Sequence, residues 1–374
     1  MKRILFLLFF LTGCLLLTVT ASAENEIYQS FDVQWEEFLA EIPSDIAEVL
    51  PKKLSEPLGD DATKLSVGGI LKSVLTSFMA GIGSYRKYLL SLVAVLLLCA
   101  VFEILKSTLK AGALHEVLTL AGNLSLSLVI ASTQIRLMDY VISYLKSISR
   151  IANGILPLML SVFAASGNFN LAAVHSGGIS LVIVLLENVF CKWLAPLLKV
   201  CFCFHFVSVF AANRYFDEIH KLLKGLYTTL LAFVMSIFTF VMGAKQILAS
   251  GADNFIIRGA KYAVSSFVPI VTSAISGSLS TVSTALSVVK NACGIGGILV
   301  VLLMLLPVIV SLILNRFVLK LSAGLAGILG EGQQQKFLTD TASINGYLIS
   351  LTVCGAVLFI YLLALTVMTT LALG

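Results

Sequence analysis

Runs of about twenty apolar residues recur along this chain, each long enough to cross the roughly 30 Å hydrocarbon core of a bilayer as a helix. The clearest, 347–373, contains no charged residue, and 225–243 and 294–314 are equally free of charge. A chain built this way must close its backbone hydrogen bonds inside helices, because lipid offers no partners. Composition agrees: 58% of residues are hydrophobic and 12% are charged, against about 25% charged in soluble domains. The expected class is an all-α, polytopic integral membrane protein with about seven to nine transmembrane helices after a signal peptide.

Candidate spans are 88–105, 113–135, 151–166, 171–190, 193–212, 225–243, 294–314 and 346–373. The second contains His115, Glu116 and Asn123, and the third is short and carries Pro157. A basic n-region (Lys2, Arg3), an apolar core and Ala21-Ser22-Ala23 predict secretory cleavage after residue 23. Leu11-Thr12-Gly13-Cys14 offers a rival lipidation site, and an uncleaved anchor is a third reading. Three regions are therefore expected: a signal over 1–23, an acidic extracytoplasmic segment over 24–87 and a polytopic region over 88–374.

From Glu24 to Asp61 there are eleven acidic residues and two lysines. Ile27, Phe31, Trp35, Phe38 and Leu39 recur at helical spacing and predict a short amphipathic helix. That segment reads either as a juxtamembrane helix or as a docking surface for a basic partner. The helix predicted over 213–224 is amphipathic too, and suits the membrane interface. The net charge of +5 is dispersed and gives no argument for nucleic acid. Pro157 and Pro196, and again Pro269 and Pro307, are nearly equally spaced, each first Pro being followed by Gly-Gly-Ile (177–179, 296–298). This is a faint trace of duplication.

Catalytic signatures are missing: there is no G-x-x-x-x-G-K-[ST], H-E-x-x-H or G-x-S-x-G. No enzymatic activity and no cofactor is expected. Cys201-x-Cys203-x-His205 resembles metal spacing, but residues two apart on a helix point some 200° apart, so Cys203 faces away from the others. Ser180 and His205 together make only a weak serine–histidine pairing. Intramembrane charges carry more weight. Glu187 and Lys199 either snorkel to the interface or pair with each other between helices.

The stretch 262–289 is uncharged, yet eleven of its 28 residues are Ser or Thr. Small hydroxyl residues permit close helix contact, or line a wet cavity where spanning and re-entrant backbone are both tolerated. Arg258-Gly259-Ala260-Lys261-Tyr262, then Phe267-Val268-Pro269-Ile270-Val271, then Thr281-Val282, then Lys290-Asn291-Ala292-Cys293-Gly294 resembles the stage III sporulation protein AE family. Thr272 stands where that family tends to have Gly. The resemblance implies a subunit of the channel-like complex between mother cell and forespore in endospore formation. It places the chain in the mother-cell membrane around the forespore. Membrane lipids, other subunits of that complex and further copies of the chain are the implied partners. Arg258, Lys261, Tyr262, Phe267, Pro269, Lys290, Asn291 and Gly294 become assembly candidates. A secondary transporter with a midplane site is the alternative reading.

Overall fold

Hydrophobic length translates, among the described residues, into seven long α-helices and one π-helical segment. The computed structural model describes residues 32–37, 39–40, 67–108, 112–166, 169–211, 214–265 and 272–368, and every regular element among them is helical. In order these are α1 (Val67–Thr108), α2 (Gly112–Ala165), α3 (Phe169–Val184), a π segment (Leu185–Leu194), α4 (Ala195–Ala211), α5 (Arg214–Ser265), α6 (Thr272–Ile328) and α7 (Gly332–Met368). The signal segment, Phe267 and Pro269 lie outside the described residues. So do the side chains of Arg258, Lys261 and Tyr262 and most of the hydroxyl-rich stretch, although its backbone enters the end of α5 and the start of α6.

Six helices among the described residues are long and apolar enough to cross a membrane: 85–106, 116–165, 176–208, 218–244, 289–328 and 332–364. This is the signature of a multi-pass membrane protein; the count is of the described residues, beside seven to nine expected for the whole chain. The candidates 113–135 and 151–166 are parts of one helix, α2. Arg136, Asp139, Lys146 and Arg150 interrupt the hydropathy between them, but they occupy one exposed face of a helix that continues. Its other face, Leu137, Met138, Val141, Tyr144, Leu145 and Ile148, stays buried in the core. Pro157 lies within the same helix and does not end it.

The candidates 171–190 and 193–212 likewise join into one run through the π segment. Pro196 lies just beyond that segment. It has no N–H for the carbonyl of Lys192, and its ring crowds that carbonyl. The wider π turn relieves the crowding, and Ala195 N–H bonds to Phe190 O, five residues back.

α6 and α7 form a long antiparallel hairpin. Its turn is a Schellman motif: Gly330 has φ 82°, Glu331 N–H bonds Ala326 O at 2.9 Å, and Gly330 N–H bonds Gly327 O at 3.2 Å. The left-handed φ is free of steric cost only at glycine. Asn345 Nδ2 donates to Leu312 O at 2.6 Å further down the pair. One continuous apolar core joins all the long helices, and Trp35 is fully buried in it. The acidic N-terminal region therefore contributes an anchor to the bundle, on the amphipathic helix that its spacing predicts (32–37).

Candidate functional site

Polar side chains inside the bundle are gathered into a few pairs between helices remote in sequence. On the α2–α6 contact, Asn315 Nδ2 donates to Gln134 Oε1 at 3.2 Å, both side chains being buried. On the α2–α7 contact, Gln334 Nε2 donates to Asn123 Oδ1 at 3.2 Å. Buried amides are stable only when paired, so each bond fixes the register of two helices.

The two intramembrane charges singled out from sequence do not meet each other. Lys199 Nζ lies 2.6 Å from Asp139 Oδ1. Glu187 accepts a hydrogen bond from Ser149 Oγ at 2.7 Å. Both partners lie on α2, so the proposed Glu187–Lys199 pair is replaced by two separate links from the π segment and α4 to α2. Glu187 and Lys199 are both half-buried.

Of the assembly candidates, Lys290, Asn291 and Gly294 are described, all in α6. Lys290 is buried, and its Nζ donates to Val367 O at 3.1 Å. That carbonyl belongs to the last turn of α7, where helix carbonyls lack intrahelical donors. The lysine thus closes the open end of the hairpin. Asn291 is half-buried and Gly294 buried.

A histidine pair, not foreseen as a pair, sits where α4, α5 and α7 converge. The rings of His205 and His220 stack with centroids 4.8 Å apart. His205 Nε2 lies 3.0 Å from Phe337 O and 3.2 Å from Thr341 Oγ1. Since a carbonyl only accepts, that nitrogen carries the proton. By the same reasoning His220 Nδ1–H donates to Cys201 O at 3.1 Å. Beside them Lys224 Nζ lies 3.2 Å from Asp340 Oδ1. His220 is buried, and nothing local in the sequence marks that. His205 is thus committed to α7 while Ser180 is exposed, so the two form no catalytic pair. Cys203 is exposed while Cys201 and His205 are buried, as the helical angle requires. Among the described residues no cluster of three or more His, Cys, Asp or Glu is placed to hold a metal ion.

At the hairpin turn, Lys106 Nζ lies 2.7 Å from Glu103 Oε2 on α1. Glu331 is buried nearby, and burial, followed by the Glu103 charge, raises its pKa above the ordinary carboxylate value, with Lys106 opposing.

The family model described as Stage III sporulation protein AE matches residues 50–370. The stage III sporulation protein AE of Bacillus subtilis (strain 168) is 21% identical over 316 residues, covering 83% of this chain and 77% of that protein. No solved structure matches.

Proposed function

Because the chain belongs to the stage III sporulation protein AE family, we propose that it is a membrane subunit of the channel-like complex joining mother cell and forespore, required for forespore development. Family membership implies a role in sporulation, and the match runs through nearly the whole bundle rather than one motif. The observation that carries the finer reading is the bundle itself: six span-length helices among the described residues, knit by interhelical polar pairs. Such an architecture suits a packed membrane subunit of a larger assembly. Its partners are membrane lipids, other subunits of the complex and further copies of the chain. In this reading the N-terminal segment lies outside the cytoplasm, and Arg258 and Lys261 beside the hydroxyl-rich stretch serve assembly.

Deletion of the gene in its sporulating host is expected to arrest forespore development. Affinity-tagged protein from sporangia is expected to bring down other membrane subunits of the complex. Normal spore yield from the deletion strain, or purification of the chain alone under conditions that keep other membrane complexes intact, would remove this reading.

A further inference from the structure

The exposed face of α2 is charged at a depth where α6 and α7 carry no charge. Gln134 bonds Asn315, and Ile155 Cδ1 lies 3.0 Å from the Cβ position of Gly297, so α2 runs antiparallel along α6 between these contacts. Leu363 also packs at Gly297, and Asn345 bonds Leu312, which sets α7 alongside at the same height. Neither 291–315 of α6 nor 346–368 of α7 contains a charge. These are the two stretches best suited to the bilayer core.

Other surfaces at this height carry no charge. Phe233 (61% exposed), Ile237 and Phe240 (77% exposed) project from α5, whose Phe238 ring meets Tyr361 of α7. Ile295 and Leu302 project from α6, and Val353 and Val357 from α7. The outer face of α2 instead exposes Arg136, Asp139, Tyr140, Ser143, Lys146 and Arg150. Half-buried Lys199 adjoins it from α4 through its pair with Asp139.

Snorkelling does not account for this face. The two contacts with α6 place Lys146 opposite the region of Met304, near the middle of 294–314. Ten residues, about 15 Å of helix rise, separate it from either end of that span. This is beyond the reach of a lysine stem. An ionised side chain at such a depth faces water or protein, not hydrocarbon.

We propose that the exposed face of α2 lines a water-filled lumen shared by several copies of this chain, with a wall that favours small anionic solutes. Four basic residues (Arg136, Lys146, Arg150, Lys199) stand against two acidic ones (Asp139, Glu187) there. One copy leaves the lumen open on its outer side. Rotation about an axis beside α2 brings the same polar face round to close it, while α5, α6 and α7 keep their apolar faces in lipid. The proposal rests on the reading of the chain as a subunit of a channel-like complex for its setting only; the depth argument uses α2, α6 and α7 alone.

The test is cysteine accessibility in native membranes of sporangia that hold the full set of subunits. Single cysteines S143C, K146C and R150C, with F240C and L302C as controls, are placed in a full-length chain whose native cysteines are replaced by alanine. Membrane-impermeant methanethiosulfonates, one sulfonated and one quaternary ammonium, are then applied. All three α2 positions are expected to react at least about ten-fold faster than the controls, and S143C faster with the anionic reagent. Two differently tagged copies are expected to co-purify. Reaction at 143, 146 and 150 as slow as at the controls would overturn the lumen, as packing of this face against a different subunit also would. Faster reaction of S143C with the cationic reagent would overturn the anionic preference, and absence of co-purifying copies would overturn the shared wall. S143C is nearly isosteric, so it keeps the test valid where K146C or R150C fails to fold. Spore yield and subunit capture report on the complex separately from these rates.

Discussion

Gly297 of α6 lies so close beneath Leu363 of α7 that a Cβ there would be 2.8 Å from Leu363 Cδ1. Gly178 does the same on α3, its Cβ position being 3.0 Å from Leu362 Cδ1. The two Gly-Gly-Ile stretches of the sequence therefore meet α7 at adjacent leucines. Small residues at such points let helices approach in lipid.

Gly297→Val is expected to overpack this contact, because Leu363 and Ile155 are fully buried and have no room to withdraw. The cost is about 1–3 kcal/mol, read as a lowered thermal midpoint in detergent. Adding Leu363→Ala should recover part of the loss. A Gly297→Val variant as stable as the parent would show that the helices separate freely here.

The Gln134–Asn315 bond invites a double-mutant cycle. Asn315→Leu leaves the Gln134 amide without that partner, at a cost of about 1–3 kcal/mol. Replacing both residues with leucine should cost less than the single change, since no amide is then stranded. Equal losses in single and double variants would show that the bond does not set the register of α2 on α6.

Lys290→Met removes the ammonium from Val367 O and should cost about 1.5–3 kcal/mol, the range for hydrogen bonds to charged groups. The last turn of α7 should become the first site of proteolytic cleavage, and Lys290→Arg should protect it. Unchanged cleavage in the methionine variant would assign the lysine to assembly alone.

Glu331 gives the hairpin turn a pH dependence. Its folded-state pKa is raised above the ordinary 4.5, so the folded chain holds the proton more tightly than the unfolded chain. The contribution to stability is complete below about 4.5 and is lost as pH rises through the folded value. The thermal midpoint is expected to fall across that window, and Glu331→Gln should flatten the fall. A midpoint that rises over the same window would show that Lys106, not burial, controls this carboxyl.

Much of the architecture was legible in the sequence. Apolar length alone determined that the chain is helical and suited to multiple membrane crossings, because hydrocarbon forces every backbone bond to close within its own segment. The spacing around Trp35 marked the short N-terminal helix. The charged residues 136–150 misled, because a hydropathy window averages over both faces of a helix while the buried face of α2 runs on unbroken. The tertiary structure alone decided that α2 is continuous and that Pro196 follows a π turn. It alone decided that Lys199 meets Asp139 and Glu187 meets Ser149, and that His205 stacks on His220. These pairings join residues up to 60 positions apart, set by how helices slide and rotate against one another. A local pattern records which face of a helix is apolar, but not which neighbour it meets or at what height.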